Sequence, residues 1–155
     1  CIAVDPWFIV SQNPQQARLI RTARDVNDGK PYWVIDQVKA AVADCLAHSG
    51  KRANELTIAC FGLAFKSDID DLRESPAMAI VSELADWHRG ELLAVEPNIR
   101  TLPKKLQGRC ELANIQDAFA RADVLVLLVD HRQFKAIDGA QIVQQYIVDT
   151  RGVWR

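Results

Sequence analysis

Three basic side chains stand in segments that follow predicted β-strands. Lys66 and Arg73 lie in the stretch 66–76, after the first predicted strand, and Arg151 comes after the last one. Because parallel strands bring their carboxyl ends to one edge of a sheet, Lys66 and Arg151 could converge there on a phosphate. Surface ion pairs with aspartates nearby in the sequence are the alternative, and spacing alone favours that alternative.

Cys1 and Asp5 form a second candidate pair. A carboxylate four residues from a thiol could hold a water molecule or orient a base, although a cysteine that only packs is the more common case. Cys45 falls on the apolar face of a predicted helix and Cys60 in a predicted core strand, so both are expected to pack, and Cys110 is expected to be inert. The wide spacing of the four cysteines favours reduced thiols and argues against a metal site or a disulfide framework.

The elements that must position these side chains begin with a long helical region. Apolar residues recur at three- and four-residue spacing through most of the segment 14–49, which predicts helix. Asn27-Asp28-Gly29-Lys30-Pro31 predicts a kink or short break, with Pro31 restarting a first turn. Gly50 stands where a left-handed helix end favours glycine, so the helix is expected to close there.

From residue 56 onward, predicted strands alternate with predicted helices. The strands cover 56–61, 92–95, 123–129 and 146–149, and the helices cover 76–89, 114–121 and 139–145. Ser75 and Pro76 are typical of a helix start. The alternation predicts an α/β fold: a Rossmann-like, mostly parallel sheet flanked by helices and preceded by a long helical connector. Ligands of such sheets gather beyond the carboxyl ends of the strands.

The turn after the first predicted strand lacks the glycines of a dinucleotide site. Its sequence is Gly62-Leu63-Ala64-Phe65-Lys66 and not GxGxxG, so this domain alone is not expected to bind NAD in the usual way. His131 follows another strand end, where a turn role is favoured over a place in a site.

Bulk composition is that of an ordinary globular protein of 155 residues, with 49% hydrophobic and 25% charged residues. The formal net charge of -1 gives no reason to expect a nucleic-acid or membrane partner, so an anion site must be a local cluster. The chain starts with cysteine and not methionine, and we expect it to be a piece of a longer protein.

Several segments together resemble the UDP-glucose/GDP-mannose dehydrogenase family. Residues 1–8 resemble the family's catalytic-cysteine motif, and residues 23–28 resemble part of its central helix. The most specific stretch is 62–66 followed by 70–76, and residues 148–151 resemble the closing motif. The resemblance covers essentially the whole chain in the family's order. The form of the cysteine segment is similar to that of the UDP-N-acetylhexosamine branch.

The resemblance implies an NAD-dependent enzyme that oxidises the C6 alcohol of a nucleotide sugar twice. Cys1 would attack the intermediate aldehyde as a thiolate, and oxidation of the adduct would give a thioester. Water would then release the carboxylate, with Asp5 placing or deprotonating that water.

The resemblance also implies binding roles. Phe65 and Lys66 are similar to residues at the UDP side of the family's substrate site, and Arg151 is similar to an arginine that contacts the nucleotide sugar. Arg73 is similar to the arginine that reaches NAD, which would be bound on an N-terminal domain absent from this chain.

On this resemblance, residues 1–50 are the end of the active-site segment and the helical connector, and residues 51–155 are the UDP-sugar-binding C-terminal domain. A homodimer through the central helices, a cytoplasmic location and no activity of this fragment alone are expected. Two alternatives remain. One is a processed hydrolase with Cys1 as nucleophile, which the strand–helix alternation disfavours, and the other is a non-catalytic dimerisation module.

Overall fold

The computed structural model describes residues 4–142 and 145–154. In chain order its elements are α1 (Asp5–Gln12), α2 (Arg18–Ser49), β1 (Thr57–Phe61), α3 (Pro76–Trp87), β2 (Glu91–Val95), β3 (Glu111–Leu112), α4 (Ile115–Arg121), β4 (Val124–Leu127), α5 (Arg132–Lys135), a 3₁₀ turn (Gly139–Gln141) and β5 (Tyr146–Asp149).

The five strands form one parallel sheet in the order β3-β2-β1-β4-β5, with β1 at its centre. Every residue of β1 and β4 is buried, as expected for strands covered by helices on both faces. The predicted fold class is confirmed, and all strand pairs of the described sheet are parallel. Because all strands are parallel, the loops after β1, β2, β4 and β5 leave from one edge of the sheet. The winding of the chain changes direction beside β1, which is where such sheets bind ligands.

Alternating side chains of β1 divide the interior into two hydrophobic clusters. Ile58 and Cys60 face α2 and α3 and pack with residues such as Val38 and Leu84. The opposite face holds Phe61, which lies against the rings of Phe119, Phe134 and Trp154 with centroids 5.0–5.3 Å apart. Both faces of the central strand are therefore anchored, and the loop that leaves it starts from a fixed point.

The sequence predicted a kink or a short break at 27–31, and the break is wrong. α2 is a continuous helix of 32 residues with Pro31 inside it. Proline lacks the N–H that would bond to the carbonyl four residues earlier in the helix. Here that carbonyl belongs to Asn27, which is exposed, so water can replace the lost donor. Beyond Pro31, burial of Val34, Val38 and Val42 against the sheet holds the helix in place.

Other helix ends agree with the sequence prediction. Ser75 caps α3 by accepting a hydrogen bond from Met78 N at 3.4 Å, and Asn114 caps α4 by accepting one from Asp117 N at 2.8 Å. Gly50 closes α2 with φ of 68°.

Several elements and boundaries differ from the prediction. α1 was not predicted, and α2 begins at residue 18 and not at 14. β3 and α5 were also missed, because two and four residues are too short to show a periodic pattern. The predicted helix 139–145 is a 3₁₀ turn over Gly139–Gln141, with 143–144 outside the described residues. Among the described helices, none combines the length and apolarity that a bilayer crossing requires.

Candidate functional site

Gly62 makes the turn after β1 unusually tight. Its φ is 95°, and a Cβ built on it would lie 2.4 Å from Cβ of Val129 and 2.8 Å from the backbone nitrogen of Val129. Only glycine fits this backbone at this separation. The loops after β1 and β4 are consequently pressed together at the carboxyl edge of the sheet.

Glu96 fills the inside of this turn with a buried carboxylate. Its Oε2 accepts hydrogen bonds from Leu63 N at 2.8 Å, Ala64 N at 3.1 Å and His131 Nε2 at 2.9 Å. Its Oε1 accepts two more, from the backbone and side-chain nitrogens of Asn98. Burial raises the pKa of Glu96, but the hydrogen bond from His131 and the backbone donors outweigh it, so the pKa lies below its ordinary value. The group is an ionised acceptor.

These residues do not fit the diphosphate of NAD. In a dinucleotide-binding sheet, the free N–H groups of the turn after the first strand face the phosphates. Here the N–H groups of Leu63 and Ala64 are already bonded to Glu96 and are not free to bind a phosphate. This turn therefore lacks the free donors of a dinucleotide site, in agreement with the missing GxGxxG.

His131 is fully buried beside Glu96, whereas the sequence favoured only a turn position for it. Its Nε2 faces Glu96, its Nδ1 lies 2.8 Å from Asp68 N, and its ring stands edge-on to Phe134. Because Asp68 N is a donor, Nδ1 must be the unprotonated nitrogen and Nε2 must carry the proton. The sequence feature that could have pointed to these two residues is their position, since Glu96 and His131 follow β2 and β4 closely.

The loop carrying Lys66 is tied to residues 130–132. Ser67 Oγ donates to Asp130 Oδ1 at 2.8 Å, and Asp68 Oδ1 accepts from Arg132 N at 3.0 Å. Asp68 has a left-handed backbone with φ of 62°, which a non-glycine residue adopts only at a cost in free energy. Three hydrogen bonds, counting Asp68 N to His131, hold that conformation in place.

Arg151 reaches the same cluster from the end of β5. Its Nε donates to the carbonyl of Leu128 at 2.9 Å and lies 3.8 Å from Asp130 Oδ1. The hydrogen bond from Lys135 is the main cause that lowers the pKa of Asp130, to about 2, with Ser67 adding to it. Asp130 is therefore ionised near neutral pH, and its carboxylate lies beside the Arg151 guanidinium.

Lys66 and Phe65 precede this tethered segment. Lys66 is exposed, with its ammonium 5.9 Å from the ring centre of Phe65, and it makes no ion pair with any described residue. Ser67, its neighbour, and Arg151 both approach Asp130. The two cations predicted to converge are thus on loops that share one anchoring carboxylate.

Arg73 follows the surface-pairing alternative. Its guanidinium is bidentate to Asp71, at 2.9 and 2.7 Å, and its side chain is 88% exposed. The hydrogen bond from Arg73 lowers the pKa of Asp71 to about 2. The backbone carbonyl of Asp71 also accepts a hydrogen bond from Phe65 N, so the loop is ordered. Arg73 stands on this loop and points outward.

Asp5, the carboxylate of the second candidate pair, takes no part in these contacts. Cys1 lies outside the described residues. Asp5 is exposed in the first turn of α1, where it makes no hydrogen bond or ion pair within 4–142 and 145–154.

Burial raises the pKa of Cys60 and raises that of Cys110 to about 11, which agrees with the inert roles expected for them. The described residues contain no cluster of three metal-ligating side chains.

Residues 59–155 match the family model described as the UDP binding domain of the UDP-glucose/GDP-mannose dehydrogenase family, and the chain belongs to that family. All 155 residues align at 73% identity with the UDP-N-acetyl-D-mannosamine dehydrogenase of Salmonella typhi and cover 37% of it. The chain is also 53% identical over 154 residues to the NDP-N-acetyl-D-galactosaminuronic acid dehydrogenase of Ralstonia nicotianae, of which it covers 34%. It therefore spans little more than a third of these curated relatives.

Solved structures agree with this membership. The UDP-D-ManNAc dehydrogenase of Pyrococcus horikoshii superposes on 99% of the chain with a TM-score of 0.75 at 25% identity, over 34% of its own length. The UDP-N-acetyl-mannosamine dehydrogenase Cap5O of S. aureus superposes on 99% of the chain, over 34% of its own length, with a TM-score of 0.68 at 31% identity. The family resemblance read from the sequence is confirmed.

Proposed function

We propose that this chain supplies the UDP-sugar side of an NAD-dependent UDP-N-acetyl-D-mannosamine 6-dehydrogenase. The observation that carries the proposal is the 73% identity to an enzyme of that name across all 155 residues. The architecture supports it, because cations and ordered loops gather where parallel sheets bind ligands. The rival sugars are UDP-N-acetylglucosamine and UDP-glucose.

Within this proposal, Lys66 and Arg151 bind the diphosphate, and Phe65 lines the UDP side. Lys66 is suited to this because it is a free exposed cation, and Arg151 because Asp130 and Leu128 hold its Nε while the rest of the guanidinium can donate outward. Arg73 is proposed to face the cofactor on the other half of the enzyme. To do so it must leave its surface ion pair with Asp71, which contributes little free energy in water.

The proposed chemistry is a double oxidation at C6 with NAD as the hydride acceptor. The first oxidation converts the primary alcohol to an aldehyde. The Cys1 thiolate then adds to the aldehyde carbon, giving a thiohemiacetal whose oxidation produces a thioester. Water attacks the thioester, the carbon–sulfur bond breaks, and the thiolate of Cys1 leaves as the uronate is released. Asp5 is proposed to place that water and accept its proton.

Binding is tested by titrating the chain with UDP-N-acetyl-D-mannosamine in a calorimeter. Lys66→Ala and Arg151→Ala should each weaken binding by about tenfold or more, the loss expected for one charge-assisted hydrogen bond. Lys51→Ala and Arg52→Ala are matched controls, since they remove the same charges just before β1, at the opposite end of the strands. Equal affinity of all four variants, or no binding of the wild type at millimolar ligand, would contradict the proposed site.

Turnover is tested in a two-domain protein that carries this chain. With NAD and UDP-N-acetyl-D-mannosamine, the wild type should form two NADH per uronate, whereas Cys1→Ser should form little or no uronate. The same assay with UDP-glucose and UDP-N-acetylglucosamine identifies the substrate, because the preferred sugar has the highest kcat/KM. Full two-step oxidation by Cys1→Ser would refute the thioester route.

We also propose that two copies associate through α2. Leu19, Val26 and Trp33 recur every seven residues on this helix and remain 86%, 71% and 50% exposed. Such spacing puts them on one face, where a second helix could cover them. Light scattering should give the mass of a dimer for the wild type and of a monomer for a Leu19→Glu, Val26→Glu variant. An unchanged mass in that variant would place the interface elsewhere.

A further inference from the structure

The buried His131–Glu96 pair lies behind the loop proposed to bind UDP and carries no role so far. Its imidazole joins a fully buried carboxylate on one side to the backbone of Asp68 on the other. Asp68 is two residues from Lys66. The pair therefore connects the inside of the sheet edge directly to the segment that presents the proposed phosphate ligand.

Glu96 fixes which nitrogen of His131 carries the proton. The carboxylate is buried, ionised and acceptor-only, so the imidazole nitrogen 2.9 Å away must be the donor. The lone pair of Nδ1 then accepts from Asp68 N at 2.8 Å, and the side-chain nitrogen of Asn98 lies 3.3 Å from the same atom. A histidine without Glu96 could adopt either tautomer, and the Nδ1–H form would set a donor against the N–H of Asp68.

The loop needs such a tether because its backbone is strained. Asp68 adopts φ of 62° and Glu74 adopts φ of 53°, both in the left-handed region that non-glycine residues avoid. Three hydrogen bonds tie Ser67 and Asp68 to residues 130–132, and water could replace two of them, because Ser67 and Asp68 make those two through partly exposed side chains. The link from Asp68 N to buried His131 is the one that solvent reaches least.

We propose that His131, set in one tautomer by Glu96, is a positioning residue that holds the Phe65–Asp68 segment in its ligand-binding form. This inference rests on the proposed UDP-sugar site. It assigns His131 no contact with the ligand: the ring acts through the backbone of Asp68. Loss of the link lets the strained segment relax and spreads Lys66 over more conformations, so that binding must order it again.

Two substitutions separate the two hydrogen bonds of the ring. His131→Gln places an amide near the Nε2 position and keeps a donor for Glu96, but it offers nothing to Asp68. His131→Asn places an amide near the Nδ1 position and keeps an acceptor for Asp68, but it leaves Glu96 one donor short. His88→Gln is the matched control, because His88 is a half-buried histidine whose Nε2 bonds to Leu56 just before β1, away from the loop.

Titration with UDP-N-acetyl-D-mannosamine should show His131→Gln binding about fivefold more weakly than the wild type, the factor of one lost neutral hydrogen bond. His131→Asn should recover most of that affinity even though its melting temperature falls, and His88→Gln should bind as the wild type does. Equal losses in the Asn and Gln variants, or losses that follow melting temperature across all three, would reduce His131 to a core residue and overturn the proposal.

Nuclear magnetic resonance of the ring nitrogens gives a second measurement that needs no variant. His131 should show a proton on Nε2 and none on Nδ1, and the Asp68 amide should exchange slowly with solvent. A proton on Nδ1, or rapid exchange at Asp68, contradicts the link itself. Failure of the wild type to bind the UDP-sugar would refute the proposed function, while these two signals would still decide whether His131 holds the loop.

Discussion

Replacement of Gly62 by alanine should be among the most destabilising single-methyl changes in this chain. The new Cβ would meet Cβ of Val129 at 2.4 Å and its backbone nitrogen at 2.8 Å, and neither atom is the free end of a flexible side chain. Overpacking of this kind costs about 1–3 kcal/mol. The backbone at φ of 95° adds about 1–2 kcal/mol for a residue that bears a Cβ. Together these effects predict a loss of about 2–5 kcal/mol, a large part of the ~5–15 kcal/mol that holds a domain folded.

Urea unfolding of Gly62→Ala, followed by circular dichroism, measures this loss. Gly108→Ala is the control, because Gly108 also has a positive φ, of 73°, but nothing lies within 4 Å of its would-be Cβ. It should lose only about 1 kcal/mol, from backbone strain alone. If both variants lose the same free energy, the close approach of the loops after β1 and β4 is not the feature that requires glycine.

Three further results are expected. Glu96→Gln should lose about 2 kcal/mol, because an amide cannot accept every hydrogen bond that the carboxylate does. Since the pKa of Glu96 is lowered by folding, its contribution is present above its ordinary pKa and disappears as pH falls through the folded-state pKa. The free energy of unfolding of the variant, measured by urea titration, should therefore fall less steeply at acidic pH than that of the wild type. An equally steep fall would contradict this. Under native conditions, iodoacetamide should label Cys60 and Cys110 slowly, as peptide mass spectrometry can show; fast labelling of Cys60 would contradict its burial. Asn114→Ala should cost about 1 kcal/mol by removing a helix cap, whereas Asn114→Ser, which keeps an oxygen acceptor for Asp117 N, should melt closer to the wild type.

Local rules were sufficient for much of the fold. Strand–helix alternation gave the parallel sheet, and Ser75, Asn114 and Gly50 mark helix ends through side-chain or backbone chemistry that acts within a few residues. Pro31 misled the prediction, because its cost is local while the packing of α2 on the sheet and the solvation of Asn27 depend on the folded chain.

The inside of the candidate site could not be predicted in the same way. Glu96 and His131 are separated by 35 residues, and nothing near either of them in the sequence shows that they meet. A lone histidine after a strand is more often part of a turn. Lys66 and Arg151 were easier to select, since basic residues at strand ends have an electrostatic meaning before the fold is known. Their roles, with those of Cys1, Asp5, Phe65 and Arg73, remain predictions.

The continuity of α2 has a mechanical consequence. At 1.5 Å per residue, its 32 residues make a rod about 48 Å long. Its second half is clamped to the sheet, while its first half carries α1 at the far end. A tilt of about 5° about Val34, where the buried half begins, would displace Arg18, about 24 Å away, by about 2 Å. A helix broken at residue 31 would absorb such a movement at the joint, whereas the unbroken rod transmits it to the segment that contains Asp5.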